Sequence, residues 1–141
     1  MITPEAIAKL RAEAPTWKGT PHRNYMSLKG IGTDCVHFVV MMYKAAGLVT
    51  PDYKIPAYSP NEGLHNASTR IQEIVRGAFE VQEVSISNVR DGDLLVFKNG
   101  KTSGHVGIYL DGEVWHALGG SCVTNSPWVL WKHRIASVFR L

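Results

Sequence analysis

The stretch Asp34-Cys35-Val36-His37-Phe38-Val39-Val40-Met41-Met42-Tyr43-Lys44-Ala45-Ala46-Gly47 decides how the chain is read. Its apolar run predicts a mostly buried helix, stopped by Lys44 in the last turn and Gly47 just beyond it. Gly30, Gly32 and Thr33 precede it as a turn, so Cys35 falls at the helix start. Unpaired N–H groups and the helix dipole gather there, favour an anion and lower a thiol pKa. The same N–H groups suit an oxyanion. A cysteine inside an apolar helix is ordinarily a small buried hydrophobe. At a helix start, behind two glycines and a charge, Cys35 reads instead as a nucleophile.

Working outward, Thr3 and Pro4 form a start signal for an N-terminal helix, with Ile7, Leu10 and Ala14 at helical spacing and Pro15 as its end. Residues 17–33 read as a glycine-containing loop. Residues 50–66, rich in Pro, Tyr, Asn and Ser, read as a long ordered loop of the kind that often serves function. Ser68 to Arg76 is predicted helical, because Ile71, Ile74 and Val75 share a face. The second half changes period. Asp91-Gly92-Asp93 is a turn into the strand Leu94–Phe97, and Asn99-Gly100 is a turn signal. His105–Leu110 and Glu113–Ala117 flank Asp111-Gly112 as a tight hairpin. Ser121–Asn125 and Ile135–Phe139 complete the predicted strands. Helices first and an antiparallel sheet second make an α+β domain, with one domain expected over residues 1–141.

The composition, 45% hydrophobic and 19% charged, is that of a globular chain. The net charge of +3 comes from scattered Lys and Arg without a basic run, so no nucleic-acid partner is expected. No apolar stretch is long enough for a membrane span. The polar N-terminus lacks a secretory pattern, so synthesis in the cytoplasm without a classical signal is expected. Two cysteines, Cys35 and Cys122, make no disulfide framework. Cys122, after Gly119-Gly120-Ser121, reads as a structural strand residue.

A nucleophilic thiol needs a base from elsewhere in the fold. His105 is the candidate, read as opening a strand at a sheet edge. Pairing about Asp111-Gly112 places it opposite a residue near 118, with His116 diagonally adjacent, within reach of a second imidazole. His116 would then orient His105. His22, His37, His65 and His133 read as structural by default. A zinc site from Cys35, His105, His116 and Cys122 lacks the usual ligand spacing, so neither metal nor cofactor is expected.

These motifs resemble the NlpC-type cell-wall cysteine peptidases, papain-like in fold. Gly32-Thr-Asp-Cys-Val-His-Phe-Val39 is similar to the nucleophile motif, and Arg90-Asp-Gly-Asp-Leu-Leu-Val-Phe97 to the strand before the base. His105-Val-Gly-Ile-Tyr109 is similar to the base motif, and Trp115-His-Ala117 to that of the third residue. The order Cys, His, His is that of the unpermuted branch. Trp17-Lys-Gly-Thr-Pro21, Tyr58-Ser-Pro60 and Arg134-Ile-Ala-Ser-Val-Phe-Arg140 resemble the branch found in phage tails, prophages and gene-transfer particles.

The resemblance implies a peptidase acting on peptidoglycan stem peptides, between D-γ-glutamate and a diamino acid, at the cell wall or periplasm and, for the tail-associated branch, on a phage tail with tail proteins as partners. It implies Cys35 as nucleophile, His105 as base and His116 as orienting residue. It also implies that Asp34 receives a substrate amine; read bottom-up, Asp34 either does that or caps the helix. Two positions depart from the family. His37 stands where a small residue is usual, putting the packing of that helix turn in question. His22 stands where Tyr is frequent, implying altered substrate fit or help to the oxyanion. The rival readings are an amidase, acyltransferase or deamidating toxin on the same scaffold, or a non-catalytic component of a tail assembly.

Overall fold

The computed structural model describes residues 2–56, 81–99 and 102–141. The expected helix Ser68–Arg76, His65, Gly100 and the loop from residue 57 onward lie outside the described residues.

Helix α1 spans Pro4–Trp17, and Thr3 caps it by accepting the Ala6 N–H at 3.1 Å. Its buried face is Ala6, Leu10, Ala14 and Trp17. Pro15 was expected to end the helix but lies inside it. A proline near a C-terminus forfeits one backbone bond. Here Trp17 is buried edge-on against Phe38, with ring centres 5.8 Å apart, and Lys18 N–H closes onto Pro15 O. Burying an indole contributes roughly 2–3 kcal/mol, enough to hold the final turn.

Helix α2 spans Cys35–Ala45 and follows the expected plan. Asp34 is its N-cap, Lys44 lies in its last turn, and Gly47 takes the left-handed conformation at φ 75°. The loop before it contains a small hairpin that patterning did not reveal, β1 (Ser27–Leu28) against β2 (Gly32–Thr33).

Six further strands form one antiparallel sheet: β3 (Gln82–Val84), β4 (Leu94–Asn99), β5 (Thr102–Leu110), β6 (Glu113–Ala117), β7 (Val123–Pro127) and β8 (Ile135–Arg140). Their spatial order is β3-β8-β4-β5-β6-β7. The β5–β6 turn at Asp111 (φ 52°) and Gly112 (φ 79°) is the mirror-image two-residue turn that matches strand twist. Two expectations shift. β7 starts two residues later than predicted, and β5 starts at Thr102, ahead of His105. Because β4 and β6 flank β5, His105 lies on an interior strand and not at a sheet edge.

The sheet is buried on both faces. Leu94, Val96, Val106, Ile108, Leu110, Trp115 and Phe139 pack with α1 and α2 in the main core. Leu95, Phe97, Val114 and Val138 form a second cluster on the opposite face, under Trp128, Trp131 and Tyr109. Trp128 and Trp131 lie on a short helix, Trp128–Trp131, that folds back over β6 and β7. No helix among the described residues is long and apolar enough to cross a membrane.

Candidate active site

Asp34 ends an extended segment and presents both carboxylate oxygens inward. Oδ1 accepts the His37 N–H at 2.8 Å, the capping bond of α2, and the His37 ring Nδ1 also lies 2.8 Å away. Oδ2 accepts the Tyr25 N–H at 2.8 Å. The side chain is buried. Of the two readings of Asp34, this geometry displays the cap. It also answers the question about His37: the imidazole turns back onto its own N-cap, so its bulk stays out of the helix packing. Tyr25 is held with φ 65°, an unusual conformation for a bulky residue, with its N–H fixed by the same carboxylate.

Cys35 follows, half-buried and outside any disulfide. The backbone N–H groups of Val106, Val36 and Cys35 itself favour its thiolate. The place of Val106 follows from strand register. Tyr109 N–H donates to Asp93 O on the β4 side, so the even-numbered N–H groups of β5 point toward β6. The β5–β6 ladder is registered only from Ile108↔Trp115 to Leu110↔Glu113. Beyond it, the next N–H on that side belongs to Val106, and of the backbone N–H groups it is the one that most favours the Cys35 thiolate. Val106 directly follows His105 in the chain, so the opening of the ladder relates the thiol to the histidine strand.

Burial pushes the Cys35 thiol up to about 11, and the neighbouring charge of Asp34 adds to the rise. The three N–H donors pull the other way without prevailing. This corrects the expectation that the helix start would lower its pKa. Removing a thiolate from water outweighs a helix terminus whose His37 N–H is already taken by Asp34.

His105 and His116 meet as the hairpin spacing required. His105 Nε2 and His116 Nδ1 are 2.8 Å apart. Continuing the β5–β6 register sets His116 across from Gly107, and a Cβ there would lie 3.2 Å from His116 Cβ and 2.9 Å from Val114 Cγ1. The missing side chain opens the diagonal along which the imidazoles join. Burial holds His105 down to about 3, with the nearby His116 and His22 adding to the effect, and holds the fully buried His116 down to about 4. At neutral pH, thiol and imidazoles are all uncharged.

Two neighbours of the pair had no local sequence signal. Ser126 Oγ lies 2.9 Å from His116 Nε2. Trp131 stands edge-on to the His116 ring, centres 4.7 Å apart at 82°, and 6.0 Å from His105. Both come from segments after β6. A polar residue on the strand beside His116 was the one available hint.

His22, given a structural default from the residues alone, lies on the site's other wall. Its N–H donates to Ser121 O, and the flanking Pro21 and Arg23 bond to Thr33, just ahead of Asp34 and Cys35. Its charge acts on His105. Cys122 bridges Pro21 behind this segment. Among the described residues, no three His, Cys, Asp or Glu side chains are grouped to hold a metal.

The chain, with its helix-start cysteine and strand-borne histidine pair, matches the model of the NlpC/P60 family over residues 16–140. The chain belongs to the NlpC/P60 family. It is 42% identical over 71 residues to the murein DD-endopeptidase MepS/murein LD-carboxypeptidase of Escherichia coli K12, a match covering 44% of this chain and 37% of that protein. The match therefore spans well under half of this curated relative. The fold is shared with a lipoprotein-like NLP/P60 protein of Staphylococcus aureus, at TM-score 0.67 and 20% identity over 98% of this chain and 42% of that one. It is also shared with RipD of Mycobacterium tuberculosis, described as a non-catalytic domain adapted to peptidoglycan binding, at TM-score 0.62 and 18% identity over 99% and 98%. The papain-like α+β architecture is thus that of the family.

Proposed function

We propose that residues 1–141 form a single cysteine peptidase domain that hydrolyses amide bonds in peptidoglycan stem peptides, between D-γ-glutamate and a diamino acid. The observation that carries this reading is the 2.8 Å His105–His116 contact on the strand whose Val106 N–H favours the Cys35 thiolate. His105 uses Nε2 toward His116, so Nδ1 is the nitrogen that takes the thiol proton. Because both groups rest uncharged, the proton moves as the sulfur attacks, in general-base fashion. The imidazolium then returns the proton to the leaving amine, and water releases the acyl-enzyme. The N–H groups at the start of α2 stabilise the oxyanion. His22 supplies the facing wall of the cleft, and Asp34 a negative charge beneath it for a substrate amine. No metal or cofactor enters this scheme.

The kinship with MepS supports a murein substrate, and the segments at 17–21, 58–60 and 134–140 support a phage or prophage tail setting. RipD illustrates a non-catalytic member; the thiol and complete histidine pair here favour catalysis. The test is mass spectrometry of digests of two peptidoglycan chemotypes. Wild type and Cys122→Ala release shortened muropeptides, and Cys35→Ala releases none. Cleavage by Cys35→Ala, or none by wild type, refutes the assignment.

A further inference from the structure

The buried side of the histidine pair carries a hydroxyl that the three-residue scheme leaves unused. Ser126 lies on β7, paired with β6 so that Ser126 stands opposite Val114 and Thr124 opposite His116. Residues 114, 116, 124 and 126 therefore share one face, and Ser126 Oγ reaches His116 Nε2 diagonally at 2.9 Å. The contact closes a chain of three side chains, His105–His116–Ser126, with both bonds under 3 Å. His116 is fully buried, so water does not replace Ser126 as a partner.

We propose that Ser126 is a positioning residue that holds the far nitrogen of His116 and supports the arrangement in which His105 can accept the thiol proton. Proton bookkeeping requires one arrangement. To accept the thiol proton at Nδ1, His105 must carry its own hydrogen on Nε2. That hydrogen points at His116 Nδ1, which must be bare and accept it. His116 then carries its hydrogen on Nε2, donated to Ser126 Oγ. In the opposite tautomer, His116 donates from Nδ1 to His105 Nε2, the His105 hydrogen moves to Nδ1, and the nitrogen facing the thiol is blocked. Nothing in the imidazole pair itself chooses between these states, since either gives one good hydrogen bond. The serine hydroxyl accepts from Nε2–H in the first arrangement and would have to turn and donate to a bare Nε2 in the second, so transfer of the thiol proton requires Ser126 Oγ as the acceptor.

When the thiol proton moves from Sγ to Nδ1, no other proton needs to move. The imidazolium Nε2–H stays on His105, and His116 accepts it more strongly because its own Nε2–H is held by the serine oxygen. Trp131, edge-on at 4.7 Å, fixes the plane of the His116 ring. The packing sets the plane of the ring, and the hydroxyl anchors its far nitrogen.

This inference rests on Cys35 and His105 acting as a pair. Its test therefore reads the thiol directly, without substrate. Iodoacetamide alkylation of Cys35 is followed against pH in a Cys122→Ala background, alongside muropeptide kcat and KM. Ser126→Ala lowers kcat and the neutral-pH alkylation rate about fivefold to tenfold, the scale of one neutral hydrogen bond. KM stays within twofold, and the apparent thiol pKa moves up. Ser126→Thr keeps the oxygen and restores the wild-type profile. In the unsubstituted protein, the nitrogen-15 shifts of His116 report the Nε2–H tautomer. A wild-type pH profile in Ser126→Ala, or an Nδ1–H tautomer for His116, overturns the inference. A wild type that cleaves no muropeptide overturns the peptidase reading, while the alkylation profiles still decide the role of Ser126.

Discussion

Gly107→Ala adds one methyl group at the most crowded crossing of the site. The new Cβ would lie 2.9 Å from Val114 Cγ1, 3.0 Å from Trp115 O and 3.2 Å from His116 Cβ. Contacts under 3.0 Å essentially do not occur for Cβ atoms, so something shifts. Val114 is fully buried and its rotamer is restricted. Trp115 O belongs to the backbone of β6, and His116 Cβ is rigidly attached to it. The available relaxation is movement of β6 away from β5 by several tenths of an ångström. Overpacking of this kind costs about 1–3 kcal/mol, which for a domain near this size lowers Tm by roughly 4–10 °C. The same movement stretches the 2.8 Å His105–His116 bond, and activity falls by about tenfold or more. Calorimetry and muropeptide cleavage would be measured together, with Gly119→Ala, where a Cβ meets nothing within 4 Å, as the control. A Gly107→Ala protein with unchanged Tm and unchanged cleavage would refute the argument that the missing side chain creates the histidine contact.

Acid should weaken the fold through the same residues. Burial holds the His116 pKa at about 4, against 6.5 when exposed, so below pH 6.5 the unfolded chain binds a proton that the folded chain refuses. Stability is full above that pH and falls as pH drops toward 4, by on the order of 3 kcal/mol from His116 alone. Denaturant titrations at pH 7 and pH 4.5 measure this, and a His116→Asn protein should lose much of the difference; an equal pH dependence in both would refute it. Arg140→Ala should destabilise by about 3 kcal/mol. Asp93 is buried and accepts Arg140 Nε at 2.9 Å and Nη2 at 2.8 Å. A Tm within 1 °C of wild type would show that the pair contributes little.

Local chemistry declared the frame. Thr3-Pro4, Asp34 and Gly47 mark helix ends through groups within a few residues, and Asp111-Gly112 fixes a turn whose register can be counted outward. That count allows a diagonal from His105 to His116, and the observed turn and register complete it. Pro15 misled because propensity is a weak local term and a buried Trp17 outweighs it.

The sequence by itself therefore determined the α+β plan, the helix-start thiol and the imidazole pair, all consequences of short-range geometry. The tertiary structure alone decided what surrounds them. Ser126 and Trp131 reach His116 through β7 and the helix after it, and the Val106 N–H is left to favour the Cys35 thiolate because the β5–β6 ladder ends one step early. The direction of the thiol pKa was likewise a tertiary matter. A helix terminus is written in the sequence, but desolvation depends on everything packed around the sulfur, and here desolvation is the larger effect.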